Sequence, residues 1–221
     1  MDLAGPVVPA ASGHTKQLVI LNHGYGSDGN DLIALAPYWQ RLMPDATFIA
    51  PNAPQRCDGN PMGYQWFPIT RLDPIEIERG VRSAAPILGA FIDAQLARHD
   101  VPPSRLALVG FSQGTMMSLH VGLRRAVPPA CIVGYSGALA APEKLAEEMT
   151  SQPPVLMLHG AMDDMLPVSR MHDAVEQMGK AGISVQWHVS PQLGHSIDQQ
   201  GLELGGRFIA SCFADAEKAG R

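Results

Sequence analysis

Short apolar runs alternate along this chain with longer amphipathic or wholly apolar stretches. Residues 16–22 (K-Q-L-V-I-L-N) predict a strand, followed by a glycine-rich loop over 23–30. Asp31 can cap a helix running to about residue 43. Residues 46–50 (A-T-F-I-A) predict a second strand, and 51–73 a long connection rich in Pro and Gly. Pro74 suits a first helical turn and opens a helix to about residue 99, which Pro86 should bend or split. The apolar run 106–109 is a strand, and 113–125 a helix with almost no polar face, as expected of one packed centrally on a sheet. Further strands are predicted at 130–135, 154–159 and 183–189. Helices are predicted at 142–149, 167–180 and about 196–214.

Short apolar strands separated by helices imply an α/β fold with a mainly parallel sheet covered on both faces. Residues 1–14 show no such pattern and read as a loose leader, leaving 15–221 as a single domain without a large lid insertion. Ligands of such sheets bind beyond the carboxyl ends of the strands, so the loops that follow strands are the informative ones.

Composition narrows the function classes. A hydrophobic content of 46% and a charged content of 17% are globular values, and 221 residues can bury a sizeable core. The net charge of −5 comes with no basic block, which argues against nucleic acid or an anionic membrane as partner. No apolar run approaches 18 residues and the first 14 hold no signal-like segment, so neither a membrane span nor a secretory signal is expected. Cys57, Cys131 and Cys212 are odd in number and widely spaced. That favours a reducing, cytoplasmic setting over a disulfide framework, and the spacing matches no zinc site. Cys131, inside an apolar strand, reads as a small core residue.

The candidate chemistry begins at Gly110-Phe111-Ser112-Gln113-Gly114, between the strand at 106–109 and the apolar helix. G-x-S-x-G in that context is a nucleophile elbow, a sharp strand-to-helix turn that leaves the serine oxygen exposed. A nucleophilic serine needs a base, and the base an orienting acid, in the chain order Ser, acid, His for this kind of fold. Asp163 and Asp164 follow the strand at 154–159, and only one of them can face a histidine; spacing does not choose between them. Of eight histidines, His195 alone lies downstream of that acid pair in a loop after a strand. The backbone N–H of Gln113 and one from the loop 23–26, with Tyr25 as candidate, would bind a developing oxyanion. A phosphate loop is disfavoured, since no Lys-Ser/Thr follows the glycines. The connection holding Met62, Tyr64, Trp66, Phe67 and Ile69 reads as a binding loop, or as one that buries its own aromatics.

With these residues in place, the chain resembles the phospholipase/carboxylesterase family of α/β-hydrolases, which includes bacterial carboxylesterases and acyl-protein thioesterases. The matching segments are H-G-Y-G-S-D-G-N-D-L (23–32), A-P-N-A-P (50–54), Q-W-F (65–67), G-F-S-Q-G (110–114), H-G-A-M-D-D-M-L-P (159–167) and G-H-S (194–196). They run in family order from about residue 16. Asn22 stands where many relatives have an apolar residue. The resemblance puts the acid on Asp163 and the oxyanion donors on Tyr25 and Gln113. It makes residues 62–72 a loop that shapes the acyl pocket, and Trp66 and Phe67 of that loop, with Met165 and Leu166 after the acid, are the expected substrate-binding residues. It implies a serine carboxylesterase with no metal or organic cofactor, and the lack of a large lid insertion favours short- to medium-chain esters. An acyl-protein thioesterase or lysophospholipase is the enzymatic alternative, and a binding protein on the same fold the non-enzymatic one. A homodimer is implied by resemblance only.

Overall fold

In the computed structural model, which describes residues 3–219, successive residues of each central strand feed opposite faces of one sheet. Leu18 and Ile20 enter one apolar core, Val19 and Leu21 the other; Leu106 and Leu108 alternate with Ala107 and Val109 in the same way. Seven strands form this sheet. They are β1 (Val7–Val8), β2 (Gln17–Asn22), β3 (Ala46–Ile49), β6 (Leu106–Phe111), β7 (Cys131–Tyr135), β8 (Val155–Gly160) and β9 (Val185–Ser190). Their order is β1-β3-β2-β6-β7-β8-β9, with every pair parallel except β1 on β3.

Helices cover both faces, as patterning requires of a parallel sheet. Four of them are α3 (Pro74–His99), α4 (Gln113–Gly122), α6 (Ser169–Lys180) and α7 (Gln199–Ala219). The shorter ones are α1 (Gly29–Ile33), α2 (Ala36–Trp39) and α5 (Leu145–Glu148). Val81 and Leu88 of α3, Met117 and Leu119 of α4 and Met171 of α6 fill one core. Leu32, Trp39, Ile209 and Phe213, from α1, α2 and α7, fill the other. All ten residues of α4 are buried, in keeping with its near lack of a polar face.

Winding runs from β2 outward to β3, then restarts at β6 on the other side of β2. The crevice between the carboxyl ends of β2 and β6 is therefore the switch point where this architecture binds ligands. The loop that starts at His23 leaves β2 there, and Ser112 follows β6.

Several boundaries differ from the sequence expectation, each for a local reason. Of the expected loose leader, residues 1–2 lie outside the described residues, and residues 3–14 are not loose. Val7 and Val8 pair with Ile49 and Phe48, the Ala50 and Asn52 N–H groups donate to the Pro6 and Ala4 carbonyls, and Leu3 and Ala10 are buried. The first helix is capped by Asp28, whose carboxylate accepts from the Asn30 and Asp31 N–H groups, rather than by Asp31. It breaks after Ile33, because Pro37 has no N–H to give to the Ile33 carbonyl and opens α2 instead. Pro86 leaves α3 unsplit; both Pro86 and Arg82, whose carbonyl loses its partner, lie on the exposed face where water can serve. The long connection holds a two-strand hairpin, β4 (Gln55–Arg56) and β5 (Tyr64–Gln65). Among the described residues no helix is long and apolar enough to cross a membrane.

Candidate active site

Ser112 sits at φ 53°, ψ −115°, a strained conformation for a residue with a side chain, between the end of β6 and the first turn of α4. The strain persists because the surroundings fix it. The Ser112 N–H donates to the Tyr135 carbonyl (2.9 Å), and the Thr115 hydroxyl lies against the Gly110 and Tyr135 carbonyls at 2.8 and 2.9 Å. A Cβ on Gly110 would collide with the Gly114 carbonyl, and one on Gly114 with the Asn22 carbonyl. Both positions therefore require glycine for close approach. Gly114→Ala is expected to cost at least about 3 kcal/mol of stability, read as a lowered urea midpoint, because backbone rather than a flexible side chain stands in the way.

The loop after β2 packs directly on the serine: a Cβ on Gly24 would lie 3.3 Å from Ser112 Cβ. That brings the backbone around Tyr25 to the elbow. His23 is buried and fixes the loop from inside, its Nδ1 donating to the Gly24 carbonyl (2.7 Å) and its Nε2 accepting from the Ala53 N–H (2.9 Å). This arrangement needs a neutral ring, and burial pushes the His23 pKa down accordingly. The Gly26 N–H donates to the Tyr64 carbonyl (2.9 Å) and the Tyr64 N–H to the Ser27 carbonyl (2.7 Å), tying the loop to the β4–β5 hairpin.

Gln113 has a role that its motif position did not announce. Its buried side chain accepts from the Trp66 N–H (2.8 Å) and donates to the Phe67 carbonyl (2.8 Å), stapling the long connection to the elbow. Trp66 Nε1 donates to the His23 carbonyl (3.0 Å), and the Phe67 ring fills the space where Gly80 of α3 lacks a side chain. Both aromatics are wholly buried. They are a correction to the expected substrate-binding set: they support the site from beneath, and the segment buries its own aromatics.

Asp163 and His195, the expected acid and base, are in contact. The Asp163 side chain is fully buried; its Oδ2 accepts from His195 Nδ1 (2.8 Å), and its Oδ1 from the Leu166 (2.8 Å) and Met165 (3.1 Å) N–H groups. Burial alone would push this carboxyl up. The Leu166 N–H first, and then His195, outweigh it and hold Asp163 below the ordinary carboxylate range. Asp164 is exposed. His195 packs on Phe111, the residue before Ser112, with ring centroids 4.9 Å apart, and is partly open to solvent. Phe111 was not singled out by sequence, since the x of G-x-S-x-G carries no residue preference.

An apolar cavity of about 360 Å3 opens at the same end of the sheet. Leu72, Ile77, Leu166 and the segment Ala138–Leu139–Ala140–Ala141 line it. Of the four expected pocket residues only Leu166 is on its wall; Met165 is largely exposed. The run of small apolar residues after β7 was the available signal for the rest: it lies in a loop following a strand, and it is too apolar for a solvated turn.

A family model described as Phospholipase/Carboxylesterase matches residues 3–213. The crystal structure of esterase PE8 superposes with a TM-score of 0.93 at 45% identity, covering 96% of this chain and all of that one. The acyl-protein thioesterase 1 of Gibberella zeae is 31% identical over 218 residues, which span 91% of this chain and 92% of that protein. Esterase YpfH of Escherichia coli is 24% identical over 198 residues, spanning 90% and 84%. The chain belongs to the phospholipase/carboxylesterase family of α/β-hydrolases.

Proposed function

We propose that this protein is a serine carboxylesterase that hydrolyses short- to medium-chain acyl esters through an acyl-enzyme. The observation that carries the reading is the buried Asp163–His195 pair, packed through Phe111 against the strained Ser112. Ser112 Oγ attacks the acyl carbonyl as His195 Nε2 takes its proton. Asp163 keeps that proton acceptor on Nε2 by accepting the Nδ1–H, and stabilises the imidazolium. The Tyr25 and Gln113 N–H groups bind the oxyanion; the latter opens α4, where unpaired backbone donors face outward. His195 then protonates the leaving alcohol, and the same nitrogen activates the water that releases the acid. The scheme calls for no metal or organic cofactor.

The cavity walled by Leu139 and Leu166 supports an apolar acyl group as the part of the substrate held. Rates on p-nitrophenyl esters from acetyl to dodecanoyl, beside an acyl-thioester, test this. The proposal expects the highest kcat/KM on a short or medium ester. Higher kcat/KM on the thioester would instead favour the acyl-protein thioesterase reading, for which the Gibberella zeae relative speaks. Leu139→Trp, which fills the cavity, is expected to lower kcat/KM on the octanoyl ester about tenfold or more while leaving the acetyl ester within about twofold.

A further inference from the structure

A second cavity, of about 460 Å3, lies between α3 and the end of α4 and shares no residue with the acyl cavity. Ala85 and Gly89 of α3, with Val121 and Val127, give it apolar walls, and His120, Arg125 and Asp93 bring polar groups to it. It stands at the far end of the helix that Ser112 opens; His120 is about 12 Å along the axis from Ser112. The Arg125 side chain is 13% exposed. Its Nη2 donates to Asp93 (2.6 Å), a carboxylate that is itself largely exposed. Its Nε–H is buried without a partner among the described residues. A guanidinium cannot shed that hydrogen, so the nitrogen calls for an acceptor. His120 is 4% exposed, and its Nδ1 is likewise buried and unpartnered among the described residues. Burial first, then Arg124 and Arg82, push the His120 pKa down to about 4, so the ring is neutral and can place its hydrogen on Nδ1. Arg124 is committed elsewhere: its Nε and Nη2 donate to Glu148 (3.0 and 2.7 Å) and its Nη1 to the His120 carbonyl (3.2 Å).

We propose that this cavity is a binding site for a small organic carboxylate, whose oxygens accept from Arg125 Nε–H and His120 Nδ1–H while a short apolar body packs on Gly89 and Val121. The class of ligand follows from the donors and the walls. Two donors match the two oxygens of one carboxylate. A single negative charge is tolerable beside Asp93 and Glu148, which would both repel a phosphate dianion more strongly. The space over Gly89, where an added Cβ would meet nothing within 4 Å, takes the apolar body. The cavity is far larger than one bridging water fills, whose share of liquid volume is about 30 Å3, and its apolar walls with a few convergent polar groups are those of a small-molecule site. The site is independent of the esterase reading.

Isothermal titration of the protein with sodium hexanoate tests this, and saturable binding with a Kd of about 1 mM or below is expected. A carboxylate can also enter the acyl cavity, so two variants separate the sites. Leu139→Trp, which fills the acyl cavity, should bind hexanoate within about twofold of wild type. Gly89→Leu, which fills the second cavity, should weaken binding about tenfold or more. Its urea midpoint should hold or rise, because leucine forms helix better than glycine and its Cβ has room. Arg125→Gln should also weaken binding about tenfold or more, the worth of one hydrogen bond to a charged group. Binding that survives Gly89→Leu and disappears in Leu139→Trp would put the carboxylate in the acyl cavity and overturn the proposal, as would an affinity untouched by Arg125→Gln. Inorganic phosphate bound as tightly as hexanoate would overturn it too. So would a wild-type protein that gives no heat beyond dilution, the result expected if water alone serves Arg125 Nε and His120 Nδ1.

Discussion

Ser112→Ala is expected to lower kcat on a p-nitrophenyl ester by about a million-fold, the scale on which removing the nucleophile of a serine triad acts, and to leave the urea midpoint nearly unchanged. The second half follows from the structure. The Ser112 side chain makes no capping hydrogen bond to α4, and its unusual backbone angles are held by Gly110, Gly114 and the Tyr135 carbonyl rather than by its own hydroxyl. Removing the oxygen therefore breaks no structural contact. A serine-reactive phosphonate should label the wild-type protein at Ser112, as located by mass spectrometry of its peptides, and should not label the variant. Residual turnover within a hundredfold of wild type, or labelling at another residue, would sink the assignment.

Asp163→Asn should cost about 10,000-fold in kcat, because an amide turned toward His195 favours the tautomer with the hydrogen on the wrong nitrogen. The loss should also extend to stability. The neutral amide gives up the charge-assisted hydrogen bonds that the buried carboxylate accepts from His195 Nδ1 and from the Leu166 and Met165 N–H groups. About 1.5–3 kcal/mol is the usual worth of a hydrogen bond to a charged group. If the amide turns over instead, its NH2 meets the Leu166 and Met165 N–H groups. Asp164→Asn, at an exposed position, should remain within about twofold of wild type in kcat and within about 0.5 kcal/mol in stability. The reverse ranking of the two variants would move the acid to Asp164.

How far the chain could be read in advance depended on what kind of signal each feature leaves. The parallel strands were legible because they are buried on both faces and leave uninterrupted apolar runs; Leu18 to Leu21 and Leu106 to Val109 are each fully buried. Their common parallel direction places the loops of Ser112, Asp163 and His195 at one end, which is why strand-end position pointed to these candidates. Features that rest on a single contact were not legible. Asp28 and Asp31 are equally good capping residues by type, and only the position of the break at Pro37 favours the first. Trp66 and Phe67 have the composition of a binding loop, but the space under Gly80 and the two hydrogen bonds from Gln113 turn them inward. The cavity wall at Ala138–Ala141 escaped notice because alanines carry no chemistry to attract attention. His159 read as structural, which its burial and its hydrogen bond to the Leu166 carbonyl support.

The two-residue strand β1 bears on solubility. It occupies the outer edge of β3, where Val7 and Val8 take up the backbone beside Ile49 and Phe48, both buried. A chain begun at Lys16 would leave that edge as an open row of donors and acceptors on an apolar strand, the form of edge that templates pairing with another molecule. Such a truncation would keep Ser112, Asp163 and His195, but it would invite self-association through β3. Strand β1 is thus expected to guard this edge against aggregation.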